Sequence, residues 1–346
     1  SLHDALPILT MQCLLVRHRR GRSGLAFLLV LVLLALASVA HLGLGARTIG
    51  PQTVVRAFLA FDPRNFDHQV IISLRLLRLV AALVVGAALG VAGALLQTVI
   101  RNPLGEPHIL GLNAGAALAV VATTALGFTF GPGKPLIAAC GAGALFALVM
   151  GLASVGKTGL TPMKVTLCGV ALTAFTSSIT AAILILDEQT LLAMRTWLAG
   201  DLAGLSREAV HTAALVAGIG LVLALWVAPA LNMLALGDQV ATGLGISLVR
   251  TRGLGLVAIA LLCGAAVSLA GPIGFIGLVV PHLVRRFATD DLRPGVPLCA
   301  LTGALLLLLA DIAARTLVAP HELATGVMTA LVGAPLFILL ASRLFK

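Results

Sequence analysis

The segment Gly151-Leu-Ala-Ser-Val-Gly156-Lys157-Thr158 matches in full the G-x-x-x-x-G-K-[ST] spacing with which backbone N–H groups and a lysine cradle nucleotide phosphates. That chemistry needs a buried strand feeding the glycines and a helix starting at the Lys-Thr pair, so that its N-terminal N–H groups aim at the phosphates. Here Thr158 is followed by Gly-Leu-Thr-Pro162, which breaks a helix, and the preceding residues belong to an apolar run of membrane-spanning length. A second mimic, Leu305 to Ala310 followed by Asp311, resembles the apolar strand and acid that hold magnesium in such enzymes, but it continues as Ile-Ala-Ala-Arg315 inside another apolar run. Neither makes an ATP site, and Lys157 reads as a cytoplasmic anchor between two helices.

Other reactive side chains are sparse. Cys13, Cys140, Cys168, Cys263 and Cys299 lie far apart with no C-x-x-C, so neither a zinc site nor a disulfide framework follows. His282 reads as a packed polar residue, and no metal ligand set and no catalytic acid, base or nucleophile cluster is expected. Arg75 and Arg78, three apart, share a helix face. Asp311 is the main intramembrane charge, with His321 and Glu322 nearer a surface. Proton-coupled transporters keep ionisable groups at mid-depth, so this scarcity argues for an energy source outside the chain.

The surrounding composition sets the frame for these residues. Of 346 residues, 60% are hydrophobic and 10% charged, against about a quarter charged in soluble domains. This excludes a soluble enzyme, a nucleic-acid binder and a disordered chain. A helix crosses a bilayer with roughly 20 apolar residues. Apolar runs between polar or Gly/Pro breaks predict ten helices, near 25–44, 73–99, 109–126, 135–155, 165–186, 210–232, 252–270, 276–288, 297–318 and 326–344, the eighth short for a crossing. The expected fold is an all-α polytopic membrane protein with short loops and both termini cytoplasmic. With the N-terminus inside, 14 of the 23 basic residues fall on the cytoplasmic side, so the formal charge of +10 reflects orientation rather than an anionic partner.

Residues 1–24 read as a cytoplasmic tail, of which 1–10, ahead of Met11, lack apolar periodicity and are set aside. Arg17 to Arg22 before the run 25–44 imitates a signal peptide; an uncleaved first helix is expected. Small residues such as Gly86, Gly90 and Gly93 let helix backbones approach in lipid. The break Gly271-Pro272-Ile-Gly274-Phe-Ile-Gly277 looks like a half-helix pair or re-entrant turn, tolerated at depth only inside protein or lining a cavity; the sequence shows no clear mate for it.

Several stretches together resemble the FecCD-type permease subunits of ABC importers for ferric siderophores, haem and cobalamin. They are Arg75-Leu-Leu-Arg78, Gly93-Ala-Leu-Leu-Gln97, Asn102-Pro-Leu-Gly-Glu-Pro107, Trp197-Leu-Ala-Gly200, Leu234-Ala-Leu-Gly237-Asp238, Ala270 through His282, Ala310-Asp311-Ile-Ala-Ala-Arg315 and Gly326 through Pro335. The likeness runs from about residue 70 to the C-terminus. Leu77, Gly105, Asp201 and Ala324 depart from the family's usual Pro, Ala, Ser and Pro, and none of these removes a charge or a break.

The resemblance implies a permease domain over 25–346 in a bacterial cytoplasmic (inner) membrane. Its partners would be two ATP-binding cassette ATPase subunits, an extracytoplasmic substrate-binding protein and a second permease copy or paralogue. The chain itself would bind no cofactor, ATP-Mg lying on the ATPase subunits, and would be no enzyme. Details near Asp187, Gly237 and Cys263 favour ferric siderophore as cargo, with haem or cobalamin as the alternative and a proton-coupled secondary transporter as the competing class.

Three sets of residues follow. Arg75, Arg78 and Arg315 fall at outer helix ends, against the positive-inside bias; the resemblance implies that they meet carboxylates of the binding protein, and headgroup snorkelling is the alternative. The polar loop with Gly237, Asp238, Ala241, Leu244 and Gly245 has room for one or two short helices capped by Asp238 and Ser247; the residues alone leave a mere connector equally open, while the resemblance makes it the element that docks on the ATPase. Asn102, Leu104 and Thr161 lie in inner loops that the resemblance places at the inner gate, although Asn-Pro is also an ordinary turn starter.

Overall fold

The computed structural model describes residues 2–45, 47–128, 133–155, 161–319 and 321–344, with only the backbone described for 2–22, 162, 336 and 339–344. The phosphate-loop mimic therefore lies outside the described residues from Gly156 to Thr158.

The described chain is helical: α1 (Leu2–Gly43), α2 (Pro51–Leu59), α3 (Phe66–Gln69), a π-helical turn (Val70–Arg75), α4 (Leu76–Val99), α5 (Leu112–Ala125), α6 (Lys134–Ser154), α7 (Pro162–Leu186), α8 (Glu188–Leu198), α9 (Arg207–Ala235), α10 (Asp238–Gly243), α11 (Leu248–Ala270), α12 (Ile276–Phe287), α13 (Leu292–Thr316) and α14 (Thr325–Leu344). Among the described residues, seven helical stretches are long and apolar enough to cross a membrane, and Leu112–Ala125 and Thr325–Pro335 are shorter apolar helices. The predicted runs fall on these helices. The α1 helix runs from Leu2, continuous with the first apolar run, and α2 and α8 were not anticipated because they are short and less apolar. Four described cysteines, Cys140, Cys168, Cys263 and Cys299, are free.

Helix α4 is the axis of the bundle, packed by α13, α11, α9 and α12. Its approach to these neighbours is set by missing side chains. A Cβ on Gly86 would overlap the carbonyl oxygen of Gly303, and one on Gly93 would overlap that of Gly277. In lipid such backbone contact replaces the hydrophobic driving force that water supplies to soluble cores. The outward faces keep their large apolar side chains exposed, as at Leu215, Ile219, Val222 and Trp226 on α9, which suits acyl-chain solvent.

Two irregular segments meet inside the bundle. Between α4 and α5, residues 100–111 turn back and α5 begins only at Leu112, after Gly111 at φ +88°. Between α11 and α12 the chain breaks at Gly271 (φ +69°) and Phe275 (φ +69°). Pro107 packs on Gly277, so the break at 271–277 is held against the 102–111 segment.

Candidate functional site

At one end of the bundle a buried ionic cluster assembles from four helices. The fully buried carboxylate of Asp311 on α13 accepts from Nε and Nη2 of Arg78 on α4 at 2.9–3.1 Å. Thr325 at the start of α14 donates its hydroxyl to the same carboxylate at 2.7 Å. His41 near the end of α1 places Nε2 2.8 Å from Oδ2, and Arg315, one turn along α13, brings its Nε to 3.4 Å. Unpaired, such charges in a low-dielectric interior would be prohibitive; with the partners present the carboxylate's lone pairs are filled. Arg78 spends its remaining nitrogen, Nη1, on Glu322 at 2.8 Å, and Asp201 stands 3.7 Å from Nη2.

Arg75, the last residue of the π-helical turn, is bonded differently. Its Nη1 donates to the carbonyls of Leu42 and Gly43 at 2.7 and 2.9 Å, and its Nη2 to the carbonyl of Arg47. The first two belong to the last turn of α1, whose terminal carbonyls lack intrahelical partners, so the guanidinium caps that helix and, through Arg47, ties down the turn that follows. Arg315 Nη2 does likewise to the carbonyl of His41 at 2.9 Å.

The three arginines are thus brought together, and all three are buried. Their guanidinium groups are committed inside the chain rather than extended along the bundle surface as snorkelling would require. Edges of Arg75, Arg78 and Arg315 nevertheless line one cavity of about 330 Å³ with Arg47, Ser73, Gly204 and Glu322. Four cations face one acid there, and Arg47 is 70% exposed while Glu322 is 38% exposed.

The opposite end carries a second carboxylate between arginines. Gly237 at φ +112° precedes α10, and Asp238 pairs with Arg101 at 2.7 Å and with Arg252 on α11 at 2.9 Å. Asp238 does not cap α10, whose N-cap is Gly237 without a side-chain bond; its carboxylate is drawn to the two cations instead. Ser247 does cap α11, accepting from the Arg250 N–H. Ala241 is fully buried, whereas Leu244 is exposed and Gly245 turns the chain at φ +80°.

Asn102 accepts from the Leu104 N–H at 3.0 Å, an Asx turn. Thr161 caps α7 by accepting from the Lys164 N–H at 3.3 Å. Helix α7 then meets the same irregular segment farther along, where Thr173 donates to the Ile109 carbonyl at 3.2 Å. The three candidate gate residues are therefore turn and cap residues of two elements that touch.

Between the two ends, hydrogen bonds without an ion pair hold the chain break. Glu106 accepts from the Phe275 N–H, Asn113 donates to the Ile273 carbonyl at 3.0 Å, and Gln97 donates to the Gly277 carbonyl at 3.3 Å while accepting from Arg285. Trp197 and Gly200 complete the frame: Gly200 packs on Gly326 and accepts from its N–H at 2.7 Å, and Gly271 lies against the Trp197 carbonyl. His282 bonds only the Leu278 carbonyl, at 2.9 Å, and among the described residues no group of three or more His, Cys, Asp or Glu could hold a metal ion.

His41, Arg101 and Glu106 escaped the sequence reading. Glu106 was visible only as the acid within Asn-Pro-Leu-Gly-Glu-Pro. Arg101, at φ +51° a strained residue for a side chain of its size, gave no signal, nor did His41 at the end of an apolar run.

The FecCD transport family model matches residues 29–343. The iron(3+)-hydroxamate import system permease protein FhuB of Bacillus subtilis is 40% identical over 318 residues, covering 90% of this chain and 82% of that protein. The vitamin B12 import system permease protein BtuC of Vibrio vulnificus is 37% identical over 332 residues, covering 95% and 97%. A solved metal-chelate type ABC transporter in an inward-facing conformation superposes with a TM-score of 0.77 at 27% identity, covering 93% of this chain and 99% of that one. With its matched length, its helical bundle and the clustered motifs in agreement, the chain belongs to the FecCD transport family.

Proposed function

We propose that this chain is the membrane-spanning permease subunit of an ATP-driven importer for ferric siderophores. The observation that carries this reading is the match of nearly the whole chain to the family and to a ferric-hydroxamate permease; the similar B12 permease keeps cobalamin as the second reading. Ten helices cross the cytoplasmic membrane, the seven long apolar ones together with α5, α12 and α14, and both termini are cytoplasmic. A second permease copy or paralogue completes the path. ATP-Mg is held by two separate ATPase subunits, and this chain holds no cofactor.

The two ionic ends divide the work. The arginine cavity faces outward and receives carboxylates of the substrate-binding protein, with Arg47 as its exposed rim and Arg75, Arg78 and Arg315 as its floor. The exposed loop of Gly237, Asp238, Ala241, Leu244 and Gly245 docks on the ATPase. Asn102, Leu104 and Thr161 close the inner mouth, and Arg101 ties their segment to the docking loop through Asp238. Transport is alternating access with no covalent chemistry.

Uptake of radiolabelled iron on a siderophore panel, beside labelled cobalamin and haem, in iron-starved cells with and without the chain tests the cargo. Loss for one siderophore class is expected, whereas loss for cobalamin or haem alone overturns the cargo. Arg47→Glu is expected to weaken docking of the binding protein encoded with the transporter about tenfold or more by reversing a rim charge. Undiminished docking would remove the arginine cavity from the interface.

A further inference from the structure

Arg78 presents a fork with three bonding edges to its surroundings, and two of them are closed. Nε and Nη2 are taken by Asp311, which is fully buried and also bonded by Thr325 and His41. Nη1 is bonded to Glu322, 2.8 Å away and 38% exposed, and both residues line the cavity they share with Arg47, Arg75 and Arg315. Asp201, the third acid near this guanidinium, stands farther off at 3.7 Å. Glu322 differs from Asp311 in every respect that governs exchange. It belongs to the loop between α13 and α14 rather than to a helix, its side chain reaches solvent, and its ion pair with Arg78 is its single salt bridge among the described residues.

Of the three acids within 4 Å of this guanidinium Glu322 is the most exposed, so it is the one with which a carboxylate arriving from outside competes. We propose that Glu322 is a displaceable internal counterion: it occupies the guanidinium edge that a carboxylate of the binding protein takes on docking, and so sets how tightly the permease holds its partner. This rests on the reading of the arginine cavity as the docking site. Exchange of one carboxylate for another is close to neutral in Coulomb energy, since a half-exposed ion pair is worth little net. The internal acid therefore keeps Arg78 Nη1 paired when no partner is docked, and it lowers the affinity of a partner that must be released after each delivery. Because Glu322 lies three residues before Thr325, whose hydroxyl bonds Asp311, displacement also pulls on the start of α14.

The test measures binding of the substrate-binding protein encoded with the transporter to the fully assembled transporter in lipid nanodiscs, at low and high salt, with the thermal midpoint of each variant recorded. Glu322→Gln is expected to tighten docking by roughly two- to fivefold at low salt, the amount a half-exposed charge pair competes for, and to steepen its salt dependence. Glu322→Asp keeps the charge and is expected to hold near wild-type affinity. Unchanged or weaker docking in Glu322→Gln, while Arg47→Glu still weakens it, overturns the counterion role and leaves the docking cavity standing. Equal tightening in Glu322→Asp and Glu322→Gln also overturns it, because the effect would then be one of shape rather than charge. If neither Arg47→Glu nor Glu322→Gln alters docking, the docking reading itself falls.

Discussion

Asp311 and Asp238 each sit between two arginines, at opposite ends of the same bundle. Asp311 is fully buried and receives bonds from α1, α4 and α14 as well as its own helix. Asp238 keeps 38% of its side chain exposed and joins a strained loop residue, Arg101, to the start of α11. The same chemical pairing acts as a structural hub in one place and a light tether in the other. What differs is the surrounding dielectric, which multiplies the penalty for removing one partner from well under 1 kcal/mol at a wet surface to several in a dry interior.

The sharpest way to break this comparison is Asp311→Ala. It leaves Arg78 and Arg315 as buried charges without their shared anion and is expected to cost about 3–5 kcal/mol, read as a large drop in the thermal midpoint and yield of the purified protein. A variant as stable as wild type would mean that water or lipid headgroups solvate this end. Glu106 adds a buried acid that is hydrogen-bonded rather than paired with a cation. Glu106→Ala leaves the Phe275 N–H orphaned at about 1–3 kcal/mol and is expected to lower transport, whereas Glu106→Gln, whose amide oxygen can accept the same bond, is expected to retain most of it. Equal loss in both would show that charge at this position, not the bond to the break, is what counts.

Asp238→Ala should sit at the other extreme, with a stability change within about 1 kcal/mol but with ATP hydrolysis in the assembled transporter no longer matched to uptake. Arg101→Ala is expected to do the same more weakly, since Arg252 still holds Asp238. Replacing Leu244 by Glu is the control on the docking surface itself: it breaks no internal contact of the ionic pair and should uncouple as well. Normal coupling in all three would reduce the 237–247 loop to a connector.

Much of the fold was legible because lipid imposes it locally. Runs of about 20 apolar residues mark spans without reference to any partner, which is why the boundaries of α4, α9, α11 and α13 lie close to those expected. The short α2 and α8 carry no such signal. The family motifs also fall on paired contacts: Arg78 meets Asp311, Arg75 caps the end of α1, and Trp197 lies against Gly271 beside the Gly200–Gly326 contact. Their partners were not legible. Nothing beside Arg78 announces that it will meet Asp311 and Glu322, 233 and 244 residues away, nor that His41 will reach Asp311 across 270.

By itself, then, the sequence determined that this is a helical membrane chain, which stretches are apolar and long enough to span, where close backbone approach is required, and to which family the motifs point. Those are properties of composition and short-range spacing, and a bilayer reads them segment by segment. Only the tertiary structure decided that Arg78 and Arg315 turn inward around one carboxylate while Arg75 caps the end of α1, that Glu322 stands beside Arg78, that the break at 271–277 packs on 102–111, and that Asp238 serves as a tether instead of a cap. Charge and hydrogen-bond energies depend on which groups lie within a few ångströms and how dry the space between them is, and helix packing alone sets both.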